Sequence, residues 1–259
     1  MIALIRRFPI LLSLPLLLLL WALAVRFGWI GKSLLAGPVE VVQVLLQALR
    51  PATSGAAIYA HAAATIERAT AGWAISLVAG GALGLLLGLN TTVYRAVESF
   101  FEFARAIPPI MAFPLLLVAF NFESPAYVWT IAVGCIPIMV LTVARGVRTL
   151  DHTRLELLNV HGASSSLQLF ASIIEILPAT FLGARLTLSI SLIVAVVTEM
   201  VFSPRSGFAL GALAKDSQIS FDTPTFYACI LILGVYGYAV NALLRHAEHW
   251  LGGENRQAA

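Results

Sequence analysis

Between Glu123 and Arg145 no side chain carries a charge, and that run is long enough to cross a bilayer as one helix. A spanning α-helix needs about 20 mostly apolar residues to cover about 30 Å of hydrocarbon. Six such candidates occur, at roughly 8–29, 67–90, 104–121, 125–145, 178–203 and 222–246. A soluble domain has about a quarter of its residues charged. Here 11% are charged and 59% are hydrophobic. Those proportions exclude a soluble globular class, whose surface would be one large apolar patch. The expected fold is an all-α integral membrane protein with about six transmembrane helices. The third candidate carries Pro108, Pro109 and Pro114, and only Asn121 to Ser124 separate it from the fourth. Spanning helices tolerate proline because their neighbours re-satisfy the freed backbone groups.

The first candidate admits two readings. Arg6 and Arg7, the apolar run and Ala22-Leu23-Ala24 fit a cleavable signal peptide. The length of the run and the spans that follow favour an uncleaved first helix. Orientation follows from Lys and Arg in the short loops. With the N-terminus inside, ten basic residues fall on the inner side, Arg6, Arg7, Arg145, Arg148 and Arg154 among them, and six fall outside. The bias puts both termini in the cytoplasm. It also accounts for the net charge of +3 without a nucleic-acid partner.

Residues 30–66 form the longest outer segment. Amphipathic stretches at Val41–Leu49 and Ala57–Ile66 read as short helices lying on or dipping into the outer surface. The loop from Phe202 to Asp222, also outer, carries Ser206-Gly207 and Gly211 and is expected to turn or re-enter. In the second candidate Gly80, Gly84 and Gly88 recur at every fourth position, which lets helix backbones approach closely in lipid. They are assigned to helix packing within one subunit, with a dimer or gating contact as the other reading. Cys135 and Cys229 fall inside candidate spans and read as buried structural thiols, with no disulfide framework or metal site implied.

Several chemical readings fail on spacing. Gly31-Lys32-Ser33 could end a phosphate loop, but Arg26 stands where the motif needs its first glycine. His246 and His249 lie at the end of the last span, and a helix terminus at the headgroup level accounts for them better than a metal does. No paired catalytic carboxylates or nucleophile elbow appear, so no catalytic residue is assigned. Arg185 and Glu199 share the fifth span but lie about 20 Å apart along its axis, too far to pair. The third, fourth and sixth candidates carry no acidic residue near their centres, where proton relays and sodium sites usually need one. No means of drawing on an ion gradient is visible in the chain.

Against this apolar background, Asp151 to Pro178 is a polar island on the inner side. Leu167, Phe170, Ala171 and Ile174 recur with a helical period, and Leu155 and Leu158 make a shorter apolar step before Gly162. The spacing predicts a short helix, a turn at Gly162-Ala163-Ser164, and a second helix capped by Ser164. Pro178 is expected to open the fifth span, at a position where no backbone N–H is missed. Most helix connections use only about 2–8 residues, so the length of this one points to a soluble partner.

The island resembles the signature loop of permease subunits of ABC importers. Glu156 and Gly162 stand at that family's separation and Ala163-Ser164 follows, while Leu157 and Leu158 replace its two alanines. Similar blocks run in order over roughly 38–252: His61 to Trp73 with Glu67-Arg68, Gly81 to Gly88, Arg105 to Pro109 and Gly146-Val147-Arg148. Leu182 to Arg185, Thr198-Glu199-Met200 and Ser206 to Ala214 complete the set. Their order is similar to that of the nitrate/sulfonate/taurine-type permeases. The resemblance implies a type I importer-like permease fold in a bacterial inner membrane. It also implies a homodimer, a cytoplasmic ATP-binding ABC subunit and an extracytoplasmic solute-binding protein. Glu156, Gly162, Ala163 and Ser164 would couple to the ATPase, which would carry the ATP and Mg, so that this chain binds no cofactor and is no enzyme. On this reading residues 1–62 form an N-terminal helix and outer segment, 63–250 the transmembrane core, and 251–259 a cytoplasmic tail. The alternatives are an ion-coupled secondary transporter or channel, and a membrane scaffold that recruits a partner without moving solute.

Overall fold

A computed structural model describes residues 15–31, 33–48, 57–121, 123–149, 160, 164–204 and 207–252. The helices among them are α1 (Pro15–Arg26), α2 (Pro38–Gln47), α3 (Ala57–Ile75), α4 (Gly81–Leu89) and α5 (Thr91–Ala106). They continue with α6 (Phe113–Ala119), α7 (Pro125–Arg148), α8 (Ser165–Val201), α9 (Leu210–Ile219) and α10 (Thr223–Gly252). A π turn at Ser76–Gly80 joins α3 to α4, and a 3-10 turn at Pro109–Ala112 leads into α6. Four stretches are long and apolar enough to cross a membrane: Ile58–Leu89, α7, Ser172–Val201 and Thr223–Leu251. The bent pair of α5 and residues 109–119 makes a fifth when counted as one span. The protein is an all-α integral membrane protein.

α7 is the central helix, with 61% of its spanning stretch buried against 11% for α10. Glycines bring its neighbours close. A Cβ on Gly72 would lie 2.6 Å from the Ile131 Cβ, one on Gly80 2.8 Å from the Met139 Cβ, and one on Gly88 2.6 Å from the Val147 Cβ. On Gly84 it would meet the Val140 carbonyl oxygen at 2.7 Å. Residues four apart drift by about 40° around a straight α-helix, so this row would leave α7 within a few turns. The π turn between Gly72 and Gly84 takes up one extra residue and turns the row back by about 100°. Toward α8, Gly146 of α7 faces Ala179, and Gly183 of α8 faces the Met139 sulfur. Hydroxyls in these helices bond their own backbone: Thr130, Thr142, Thr187 and Thr198 each donate to the carbonyl four residues back.

Three expectations need correction. The candidate at 104–121 is not one straight helix, because α5 and the 109–119 segment meet at 86°. Ile107 is extended there, as a residue before proline prefers, and Pro109 seats its ring against Gly134 of α7. The stretch Ala57–Ile66 is no surface helix. It is the first half of α3 and runs on into a span, because its polar residues face protein rather than headgroups. Pro178 does not open the fifth span. It lies inside α8, which is continuous from Ser165 to Val201. Of the first candidate, residues 15–26 form α1 and residues 8–14 lie outside the described residues. The 202–222 loop turns at Gly207, which has φ +76°, and folds into α9 with Leu210, Gly211 and Ala214 buried.

Candidate functional site

α8 leads from the polar island to a second polar region that the sequence did not announce. Of the four residues assigned to coupling, Glu156, Gly162 and Ala163 lie outside the described residues. Ser164 is exposed and stands at the N-cap of α8 in extended conformation, but its side chain makes no capping hydrogen bond. The C-terminal end of α7, which leads into the island, is fastened to α5. Asn90 caps α5 by accepting the N–H groups of Thr92 and Val93. Along the helix, Glu98 and Glu102 both face Arg145, and Arg105 pairs with Glu102 at 2.6 Å. The Arg148 guanidinium lies 4.4 Å above the Tyr94 ring. The chain therefore enters the island from a braced end of α7.

At the other end of α8, about 50 Å away by helical rise, Glu199 is completely buried. Its Oε1 accepts from Arg68 Nη1 at 2.8 Å. Its Oε2 accepts from Thr65 Oγ1 at 2.7 Å and from the Gly211 N–H at 3.1 Å. Arg68 also donates to the Phe208 carbonyl at 3.0 Å, and its Cζ lies 5.3 Å from the centre of the Tyr127 ring. Thr65 Oγ1 in turn accepts the Leu210 N–H at 2.8 Å. His61 Nδ1 lies 2.9 Å from both N and O of Ala209. The Ala209 N–H donates to Nδ1. Tyr127 donates to the Phe202 carbonyl, and its ring packs tilted on Phe113, which in turn meets Phe202. One carboxylate thus ties α3, α8 and the start of α9 together. The Gly211 backbone lies against Val196, where a Cβ would sit 2.5 Å from the carbonyl oxygen. Beside Arg68 a cleft of about 280 Å³ opens, lined also by Glu67, Ser124, Val128 and Trp129.

The two charges that could not reach each other each have a partner. Arg185 pairs with Glu248 of α10 at 2.6 Å, and Glu199 pairs with Arg68. Residues 78–252 match the family model of the binding-protein-dependent transport system inner membrane component. The chain belongs to that family. It is an ABC importer permease of the nitrate, sulfonate and taurine type. The chain is 26% identical over 223 residues to the nitrate import permease protein NrtB of Leptolyngbya laminosa, covering 83% of this chain and 78% of the relative. It is 24% identical over 189 residues to the bicarbonate transport system permease protein CmpB of Synechococcus elongatus, covering 73% and 67%. With the taurine transport system permease protein TauC of Escherichia coli it shares 23% over 246 residues, 93% and 88% of the two chains.

In this permease the matched region begins within the π turn and takes in α4 to α10. Glu199 lies inside it and Arg68 lies before it, so the buried pair joins the matched core to the preceding part of α3. Sequence reasoning named Glu67-Arg68, Thr198-Glu199-Met200 and Ser206 to Ala214 as separate blocks, and nothing in their spacing brought them together. The available signal was a lone acid near the end of an apolar span, which is costly unless paired. Gly80, Gly84 and Gly88 pack on α7 of the same chain. Cys135 and Cys229 are buried free thiols. His246 Nδ1 lies 2.8 Å from the Ala242 carbonyl, within its own helix.

Proposed function

We propose that the permease moves a small solute into the cytoplasm of a bacterium, across the inner membrane, by alternating access driven by a partner ATPase. The observation that carries this reading is the family match, joined to a polar island long enough to meet a cytoplasmic partner. The relatives named for nitrate, bicarbonate and taurine transport support a small, mostly anionic solute as the cargo class. Two copies of the chain would enclose the path, and an extracytoplasmic binding protein would deliver the solute. ATP and Mg would sit on the ATPase, with no cofactor on this chain.

The physical requirement is a differential free energy between inward- and outward-facing states. Moving such an equilibrium from 1:99 to 99:1 takes about 5.5 kcal/mol. Nucleotide binding and hydrolysis in a partner supply that, delivered to Glu156, Gly162, Ala163 and Ser164 as a docking lever. Gly162→Pro and Glu156→Lys should abolish ATP-dependent uptake while membrane insertion stays normal. Normal uptake in both variants sinks the lever. Uptake that persists without ATP and collapses with the ion gradient moves the chain to the secondary-transporter class.

A further inference from the structure

We propose that Arg68 and Glu199 are a positioning pair for transport: they lock the far end of α8 to α3 and to the 208–211 segment in one state of the permease and part in the other. This rests on the reading of the chain as an ATPase-driven importer. α8 starts within the polar island and ends in the lock, and it is continuous past Pro178. A displacement of its Ser164 end is therefore carried to Glu199. The carboxylate receives Arg68, Thr65 and the Gly211 N–H within 2.7–3.1 Å, from two other elements. Hydrogen bonds at these lengths weaken steeply when stretched or tilted, so a shift of about 1 Å cannot be shared out among them. They hold together or release together, which makes the junction two-state rather than graded.

Stability alone is a poor reason for such a pair. A buried ion pair is commonly matched or bettered by apolar residues of the same shape. What it supplies at a junction of three elements is register: one alignment of α8 satisfies the carboxylate, and a slipped one leaves a charge buried and unpaired. The cleft beside Arg68, walled by Ser124 and Trp129, gives the guanidinium room to leave Glu199. Trp129 there offers an aromatic face to a released cation.

The test uses L210C as a reporter, since Leu210 is fully buried at the lock and Cys135 and Cys229 are buried too. In lipid nanodiscs the full chain is labelled with a membrane-impermeant maleimide, with and without E199Q or R68M/E199L. Labelling should quicken by roughly fivefold or more in both. In proteoliposomes with the co-purified ATPase and binding protein, R68M/E199L should keep hydrolysing ATP while uptake falls by roughly tenfold or more. R68M/E199L preserves apolar packing, so it carries the test if E199Q does not reach the membrane. Unchanged labelling with wild-type uptake in R68M/E199L overturns the lock and leaves the pair a packing contact. Quickened labelling in a parent complex that hydrolyses no ATP overturns the importer reading and leaves the lock standing.

Discussion

Arg185 and Glu199, both on α8, form ion pairs built on different terms. Arg185 meets Glu248 with both side chains 26% exposed, one contact between two helices. Arg68 meets Glu199 with side chains 6% and 0% exposed, inside a network that includes Thr65, Gly211, Phe208 and Tyr127. The first pair is free to reorganise around the loss of a partner. The second is not, because each donor to Glu199 is fixed by its own helix or turn. Burial makes the same chemistry a constraint on backbone position rather than a surface contact.

Glu199→Ala has the largest expected effect, because it leaves Arg68 buried without its carboxylate. Removing one partner of a buried pair costs about 3–5 kcal/mol. The variant should unfold at markedly lower denaturant in mixed micelles than the parent. A midpoint unchanged from the parent would falsify the burial attributed to the pair. Thr65→Val keeps the volume but removes a donor to a carboxylate, at about 1.5–3 kcal/mol. It also orphans the Leu210 N–H, so amide exchange at the start of α9 should quicken. Gly211→Ala attacks the same junction through sterics. Its Cβ would meet the Val196 carbonyl at 2.5 Å and the Glu199 Cβ at 2.8 Å. Overpacking of that kind costs about 1–3 kcal/mol, and the unfolding midpoint should drop accordingly.

What the sequence disclosed follows the same division. Helices and most spans were legible, because hydropathy reports directly on lipid contact and α7 is uncharged along almost all its length. The glycine row was legible because small residues at a fixed spacing can serve few purposes in a membrane helix. The buried junction was not legible. His61, Thr65 and Arg68 produce the same amphipathic signal whether their polar side meets headgroups or a carboxylate more than a hundred residues away, and the surface reading of Ala57–Ile66 failed on that ambiguity. Pro178 misled for a related reason. In water a proline marks a boundary, whereas a membrane helix keeps its course when its neighbours support it. The bend at Ile107 was signalled by Pro108-Pro109, but its 86° angle is set by the seating of Pro109 on Gly134, a tertiary contact.

The half-buried pair should respond far more mildly. Glu248→Gln removes the charge from the Arg185 partner while keeping the length of the side chain. Arg185 lies partly open, so its guanidinium can turn toward water or headgroups instead of remaining stranded. Solvent-exposed ion pairs are worth about 0.2–1 kcal/mol, and E248Q, partly open to solvent, should lose about that much and far less than Glu199→Ala. Raising salt should shrink the difference further, because exposed charges are screened and buried ones are not. Salt should leave the deficit of Glu199→Ala nearly intact. If E248Q instead lost as much as Glu199→Ala at every salt concentration, the α8–α10 contact would be as tightly held as the α3–α8 junction. The distinction between a contact and a lock on this helix would then have no physical basis.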